Sequence, residues 1–116
     1  MDANKLTTLD GRVVCERCLI ARTPWQRMRG LLGRKSLDAN EGMLFRSSGP
    51  IHMFFMRFPI DAIFCDGDLV VLDVERGLAP WRVAGRRGSK MVIEMASGAA
   101  ADVQSGDRLV LGTIDA

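Results

Sequence analysis

The stretch Ile51-His52-Met53-Phe54-Phe55-Met56-Arg57-Phe58-Pro59-Ile60-Asp61-Ala62-Ile63-Phe64 constrains the fold more than any other part of this chain. It is apolar almost throughout, yet it holds one His, one Arg, one Pro and one Asp. Burying its apolar side chains drives folding, whereas burying an unpaired charge is costly. The ionic members must therefore pair with each other or face a cavity. In extended chain, residues of one parity share a face, which sets Arg57 and Asp61 on the same side across Pro59. Two readings of Asp61 follow. It is a structural acid, ion-paired or bound to backbone amides that fix a loop, or it lines a mostly apolar pocket. Pro59 would cost a central strand one ladder bond, so the run reads as two extended pieces meeting there.

A chain of 116 residues fits one domain. Residues 1–116 are read as that domain, with 1–10 a loosely ordered tail. The apolar fraction of 47% and charged fraction of 26% are those of an ordinary globular protein. No run approaches the roughly twenty apolar residues of a membrane helix, and the N-terminus lacks a signal-like apolar core. The expectation is a soluble, cytoplasmic protein with no membrane partner. Three cysteines, an odd number, argue against a disulfide framework.

Elements can be placed along the chain. Gly11–Ile20 reads as a strand. Thr23, Pro24 and Gln26 have the spacing of a capping box, and Trp25, Met28, Leu31 and Leu32 fall on one face of a helix of about ten residues. Gly33 is its natural terminator. Met43–Arg46 is a short strand. Asp66-Gly67 suits a two-residue hairpin turn between Asp61–Cys65 and Asp68–Val74. Gly77–Arg87 is a loop region, Lys90–Ala96 a strand, Ala99–Val103 a short helical turn and Arg108–Ile114 the last strand. About six to seven short strands with one helix predict a mainly β fold, a compact sandwich or barrel with the helix alongside.

Few groupings carry chemistry. His52 is the only His, too little for a triad or most metal sites. Cys15 and Cys18 sit three apart inside a predicted strand, where they point to opposite faces. With Cys65 and His52 they have the ligand types for zinc but lack a second close pair, so no metal and no cofactor is expected. Glu94 lies in the apolar strand with the parity of Val92 and Ala96. On a one-sided sheet it faces water; facing Asp61, it would form an acid/base pair. Thirteen of the sixteen cations are Arg, in two groups: Arg22, Arg27, Arg29, Arg34 and Lys35, then Arg82, Arg86, Arg87 and Lys90. Their planar forks suit a carboxylate or phosphate. The net charge of +2 is small, and few aromatics stand beside these groups, so no nucleic-acid partner is expected.

Five blocks taken in order resemble a known family: Gln26-Arg27-x-Arg29-Gly30-Leu31-Leu32-Gly33-Arg34, Gly42-Met43-Leu44-Phe45, His52-x-Phe54-Phe55-Met56-Arg57-Phe58-Pro59-Ile60-Asp61, Val92-Ile93-Glu94-Met95-x-x-Gly98 and Gly106-Asp107. The chain is similar, over roughly residues 12 to 112, to the domain-of-unknown-function-192 family. The resemblance implies a compact β-rich domain with one helix and no established reaction, cofactor or partner. Many relatives carry Trp at the position of Phe55 and Lys-Asn at Arg57-Phe58, which this chain replaces.

The leading expectation is a non-enzymatic β-domain binding a small anionic or partly apolar ligand, or a protein partner of unknown kind. Its site would gather His52, Phe55, Arg57, Asp61 and Glu94, with Arg27, Arg29 and Arg34 from the helix region. One alternative is an acid/base enzyme of hydrolase or lyase type using Asp61 and Glu94. Another is a purely structural interaction module, recognisable by an exposed apolar patch.

Overall fold

The computed structural model describes residues 3–31 and 34–113, without the side chains of Ala3, Pro24, Met28, Arg29, Gly30 and Thr113. Its strands are β1 (Ala3–Thr8), β2 (Val13–Ala21), β3 (Glu41–Arg46), β4 (Ile51–His52), β5 (Ile60–Cys65), β6 (Val71–Leu78), β7 (Val83–Ala84), β8 (Met91–Ala96) and β9 (Leu109–Thr113), with one helix, α1 (Pro24–Leu31). Seven strands form one sheet in the order β6-β5-β8-β3-β2-β1-β9, and β4 pairs with β7 apart from it. Among the described strands only β2 and β3 run parallel, and α1 lies in the crossover between them. The fold is mainly β, as expected, but the sheet is not closed as a barrel. Its edges touch at one corner only, through the bridge between Val70 and Arg108. The polar start that read as a tail instead supplies β1, paired on both sides by β2 and β9.

The middle strands explain why the sequence there is almost continuously apolar. Alternate residues of β3, β5 and β8 feed two separate cores, so both faces are covered. Met43, Phe45, Ile60, Ala62, Phe64 and Val92 join the core under the helix and loops. Leu44, Ile63, Cys65, Ile93 and Met95 join the one on the other face.

The capping box forms. Thr23 Oγ1 accepts from the Gln26 amide at 3.1 Å, while Gln26 Oε1 accepts from the Arg22 amide at 2.7 Å. The helix is turned differently from its apolar pattern, however. Trp25 is 64% exposed, whereas Leu31 is buried. Arg27, four residues before Leu31, faces the sheet because a buried acid waits there. The Gly33 terminator, with Leu32, lies outside the described residues.

Three further expectations are corrected. The hairpin after β5 is longer than two residues, and its left-handed residue is Leu69 (φ 61°). The Asp66 carboxylate holds it by accepting from the Asp68 and Val70 amides at 2.8 and 3.0 Å. Residues 99–103 form consecutive turns rather than a helical turn, and Arg76 donates to the Ala100 and Val103 carbonyls at 2.5 and 2.6 Å. Finally, the long apolar run is not two regular extended pieces. After two residues of β4 it leaves the strand, turns at Met53–Met56, and re-enters as β5 at Ile60. Parity is lost across that turn.

Cys15 and Cys18 do not point to opposite faces, because β2 bulges between them. Leu6 pairs with Cys15 and Asn4 with Cys18, so β2 spends three steps where β1 spends two. Both thiols enter the same core. Hydrogen bonding from Cys18 holds the Cys15 thiol below its ordinary value and raises Cys18 in turn. Burial pushes the Cys65 thiol up to about 12 from 9.0. In the unfolded chain this thiol ionises near the lower value, while the folded chain holds it protonated. Stability should therefore be full below pH 9 and fall as pH rises toward 12. Urea denaturation at stepped alkaline pH measures this. Cys65→Ala should flatten the slope.

Candidate functional site

The central polar feature is a buried ion pair that crosses from helix to sheet. Arg27 Nε and Nη2 donate to Glu94 Oε1 and Oε2 at 3.1 and 2.7 Å, a two-point grip on a carboxylate with no exposed surface. Arg27 Nη2 also donates to the His52 carbonyl at 3.2 Å, and its guanidinium lies 4.6 Å over the Phe45 ring. One side chain thus ties α1 to β8, β4 and β3. Glu94 does share parity with Val92, but that face is covered by the helix and not open to water.

Asp61 and Glu94 do not meet. In the β5–β8 ladder Asp61 pairs with Met95, and Ala62 with Glu94. Directly opposed residues share a face, so the two carboxylates lie on opposite sides of the sheet. The acid/base pairing is thereby overturned. Nor does Asp61 pair with Arg57, which stands exposed in the turn before β5. Instead Asp61 Oδ1 accepts from the Gly77 amide at 2.9 Å, and Oδ2 from the Gly98 and Ala100 amides at 3.0 and 3.1 Å. Gly77 (φ 64°) and Gly98 (φ 90°) are both left-handed, conformations that suit glycine. Gly77 stands in a bulge of β6, where Ile60 pairs with Leu78 but Ala62 with Glu75. Asp61 satisfies amides that the bulge and the turn after β8 remove from the ladder.

Beside the Arg27–Glu94 pair lies a cleft of about 410 Å³. The end of β2, the start of α1, the end of β3, and β4 with the loop before it surround it. Its polar wall carries Arg22, Thr23, Arg27, Arg46, Ser47 and His52; its apolar wall includes Ile20, Leu44, Phe45 and Ile51. Two of the expected site residues, Arg27 and His52, line this cleft, and Glu94 backs it. Arg34 does not. It pairs with Glu41 at 2.9 Å, at the opposite end of β3, and draws that carboxyl below its ordinary value. The Arg29 side chain lies outside the described residues. The cleft residues Arg46 and Ser47 escaped the sequence reading because they end a strand and begin a loop, with no spacing to mark them.

Phe55 belongs to a second feature. It stands on the surface with Phe54 and Trp81, and His52 links that surface to the cleft by stacking on Phe54 at 4.6 Å. Among the described residues, no cluster of three or more His, Cys, Asp or Glu could hold a metal ion, and no helix is long and apolar enough to cross a membrane.

The family DUF192, described as Uncharacterized ACR, matches residues 6–111. A UPF0127 protein from Thermococcus sibiricus (strain DSM 12597 / MM 739) is 37% identical over 91 residues, which cover 72% of this chain and 57% of that protein. The chain thus spans little more than half the length of that relative. Solved structures are similar as well, two of them over nearly the whole chain. One is a candidate transcription regulator from Sinorhizobium meliloti 1021, 26% identical, with a TM-score of 0.75 over 95% of this chain and 92% of that one. The other is a protein of unknown function from Novosphingobium aromaticivorans DSM 12444, 27% identical, with a TM-score of 0.74 over 93% and 83%.

Proposed function

We propose that this chain, which belongs to the DUF192 family, is a non-enzymatic β-domain that binds a small, partly apolar anion in the cleft beside Arg27 and His52. The observation that carries the reading is the make-up of the cleft walls. Arg22, Thr23, Arg46 and Ser47 line the cleft together with apolar side chains such as Ile20, Phe45 and Ile51. Glu94 already neutralises Arg27, so Arg27 positions the wall, and the attraction for an anion rests on the exposed Arg46. A ligand with one charged end and one apolar end satisfies both walls, the usual economy of a small-molecule site. Catalysis by paired carboxylates finds no support, since Asp61 and Glu94 are separated by the sheet.

Isothermal titration with phenyl phosphate and with inorganic phosphate tests this. Phenyl phosphate should bind more tightly, because it adds a ring for the apolar wall. Arg46→Ala should weaken both by about tenfold or more, the scale of one charge-assisted hydrogen bond. Its own melting temperature should stay put, since Arg46 is exposed. Absence of binding heat for both compounds, or unchanged affinity in Arg46→Ala, would overturn the assignment.

A further inference from the structure

Four rings form a continuous exposed series on one face. His52 stacks on Phe54 with centroids 4.6 Å apart, Phe54 lies 6.0 Å from Trp81, and Trp81 lies 4.9 Å from Phe55 at an angle of 59°. Phe54 is 40% exposed, Phe55 67% and Trp81 58%. The two loops that carry them are pinned to each other. The Met53 amide donates to the Arg82 carbonyl, and the Trp81 amide to the Met53 carbonyl, both at 2.8 Å. Within this rigid frame Phe55 (φ 65°) and Trp81 (φ 70°) take the left-handed conformation, which is costly for large side chains. Burial does not repay that cost, because more than half of each ring faces water.

The two segments that carry them hold charge of one sign. Residues 46–60 and 77–90, which build this face, contain no Asp or Glu. Arg86 is occupied by Asp73 at 2.6 Å and Glu75 at 3.7 Å, both from β6, but Arg57 and Arg82 are exposed and adjoin the rings in sequence. Aromatic faces set among exposed arginines match a ligand that repeats flat rings and negative charges along one chain. Only an unpaired strand presents its bases for such stacking.

We propose that the face carrying Phe54, Phe55 and Trp81, with Arg57 and Arg82, binds single-stranded nucleic acid by stacking bases on the rings and neutralising phosphates with the arginines. The expectation of no nucleic-acid partner rested on the small net charge and the few aromatics beside the Arg groups; the fold instead gathers the rings of two separate loops on one face that also carries Arg57 and Arg82. The proposal stands independently of the anion cleft.

Fluorescence anisotropy with a labelled deoxythymidine decamer tests it, beside a blunt duplex, an anionic phospholipid vesicle and a poly-glutamate peptide. The decamer should bind best, and its affinity should fall with salt in a linear log–log plot. Trp25→Phe leaves Trp81 as the sole indole, and its fluorescence should quench on binding. Phe55→Gly and Trp81→Gly should each weaken binding between about fivefold and a hundredfold. Both should keep or raise the melting temperature, because glycine accepts the left-handed backbone. Arg82→Gln should reduce the salt slope by about one. No binding of the decamer, equal or tighter binding of duplex, vesicle or peptide, or glycine variants that bind as well as the parent would each overturn the proposal.

Discussion

Asp61→Ala should destabilise the folded chain by about 3–5 kcal/mol, read from the urea midpoint at unchanged slope. From sequence alone, a structural role for this acid implies a loss of about 1–3 kcal/mol. The structure raises the figure because three amides depend on one carboxylate: Gly77 in the β6 bulge, and Gly98 and Ala100 in the turn after β8. Asp61 is buried, so water does not simply replace it. Hydrogen exchange should report the same event locally, with those three amides losing protection ahead of the sheet. A loss below about 1 kcal/mol would show that the bulge and the turn hold themselves.

Arg27→Met should cost a comparable amount, about 3–5 kcal/mol, because it strands the fully buried Glu94 charge. The reverse substitution, Glu94→Leu, should cost less. Arg27 keeps 15% of its side chain exposed and also retains the His52 carbonyl and the Phe45 ring. The double variant should recover much of the Arg27→Met loss, since an apolar pair of similar volume replaces a buried ion pair at little net cost. A double-mutant cycle by chemical denaturation measures the coupling. Additive losses would mean that the two side chains do not act as a pair. A destabilised Arg27→Met would also deform the cleft, which is why Arg46 is the cleaner probe of ligand binding.

Much of the fold could be read from local pattern. The Thr23–Gln26 cap, the strands through Met43–Arg46 and Met91–Ala96, and the mainly β class all rest on short-range propensity, capping and apolar periodicity. β1 could not be read, since its polar residues earn a strand only by filling the gap between β2 and β9. Trp25 misled for a related reason. Its apolar character suggested the buried face of the helix, but the need to pair Glu94 turned Arg27 inward.

The candidate site was less legible. Arg27, His52 and Glu94 were marked by lying as charges in otherwise apolar or distinctive blocks, and the structure does gather them. Arg57 was marked in the same way and is on the surface. What the sequence by itself determined is which charges had to be accounted for, and that the segments of β5 and β8 are strands. Tertiary structure alone decided which partner each charge took. A side chain's face follows from strand register, and a bulge of one residue reverses it for everything beyond. Two such bulges and the turn at Met53–Met56 set the faces of Cys18 and Leu78 and the place of Arg57, and long-range pairing fixes all three.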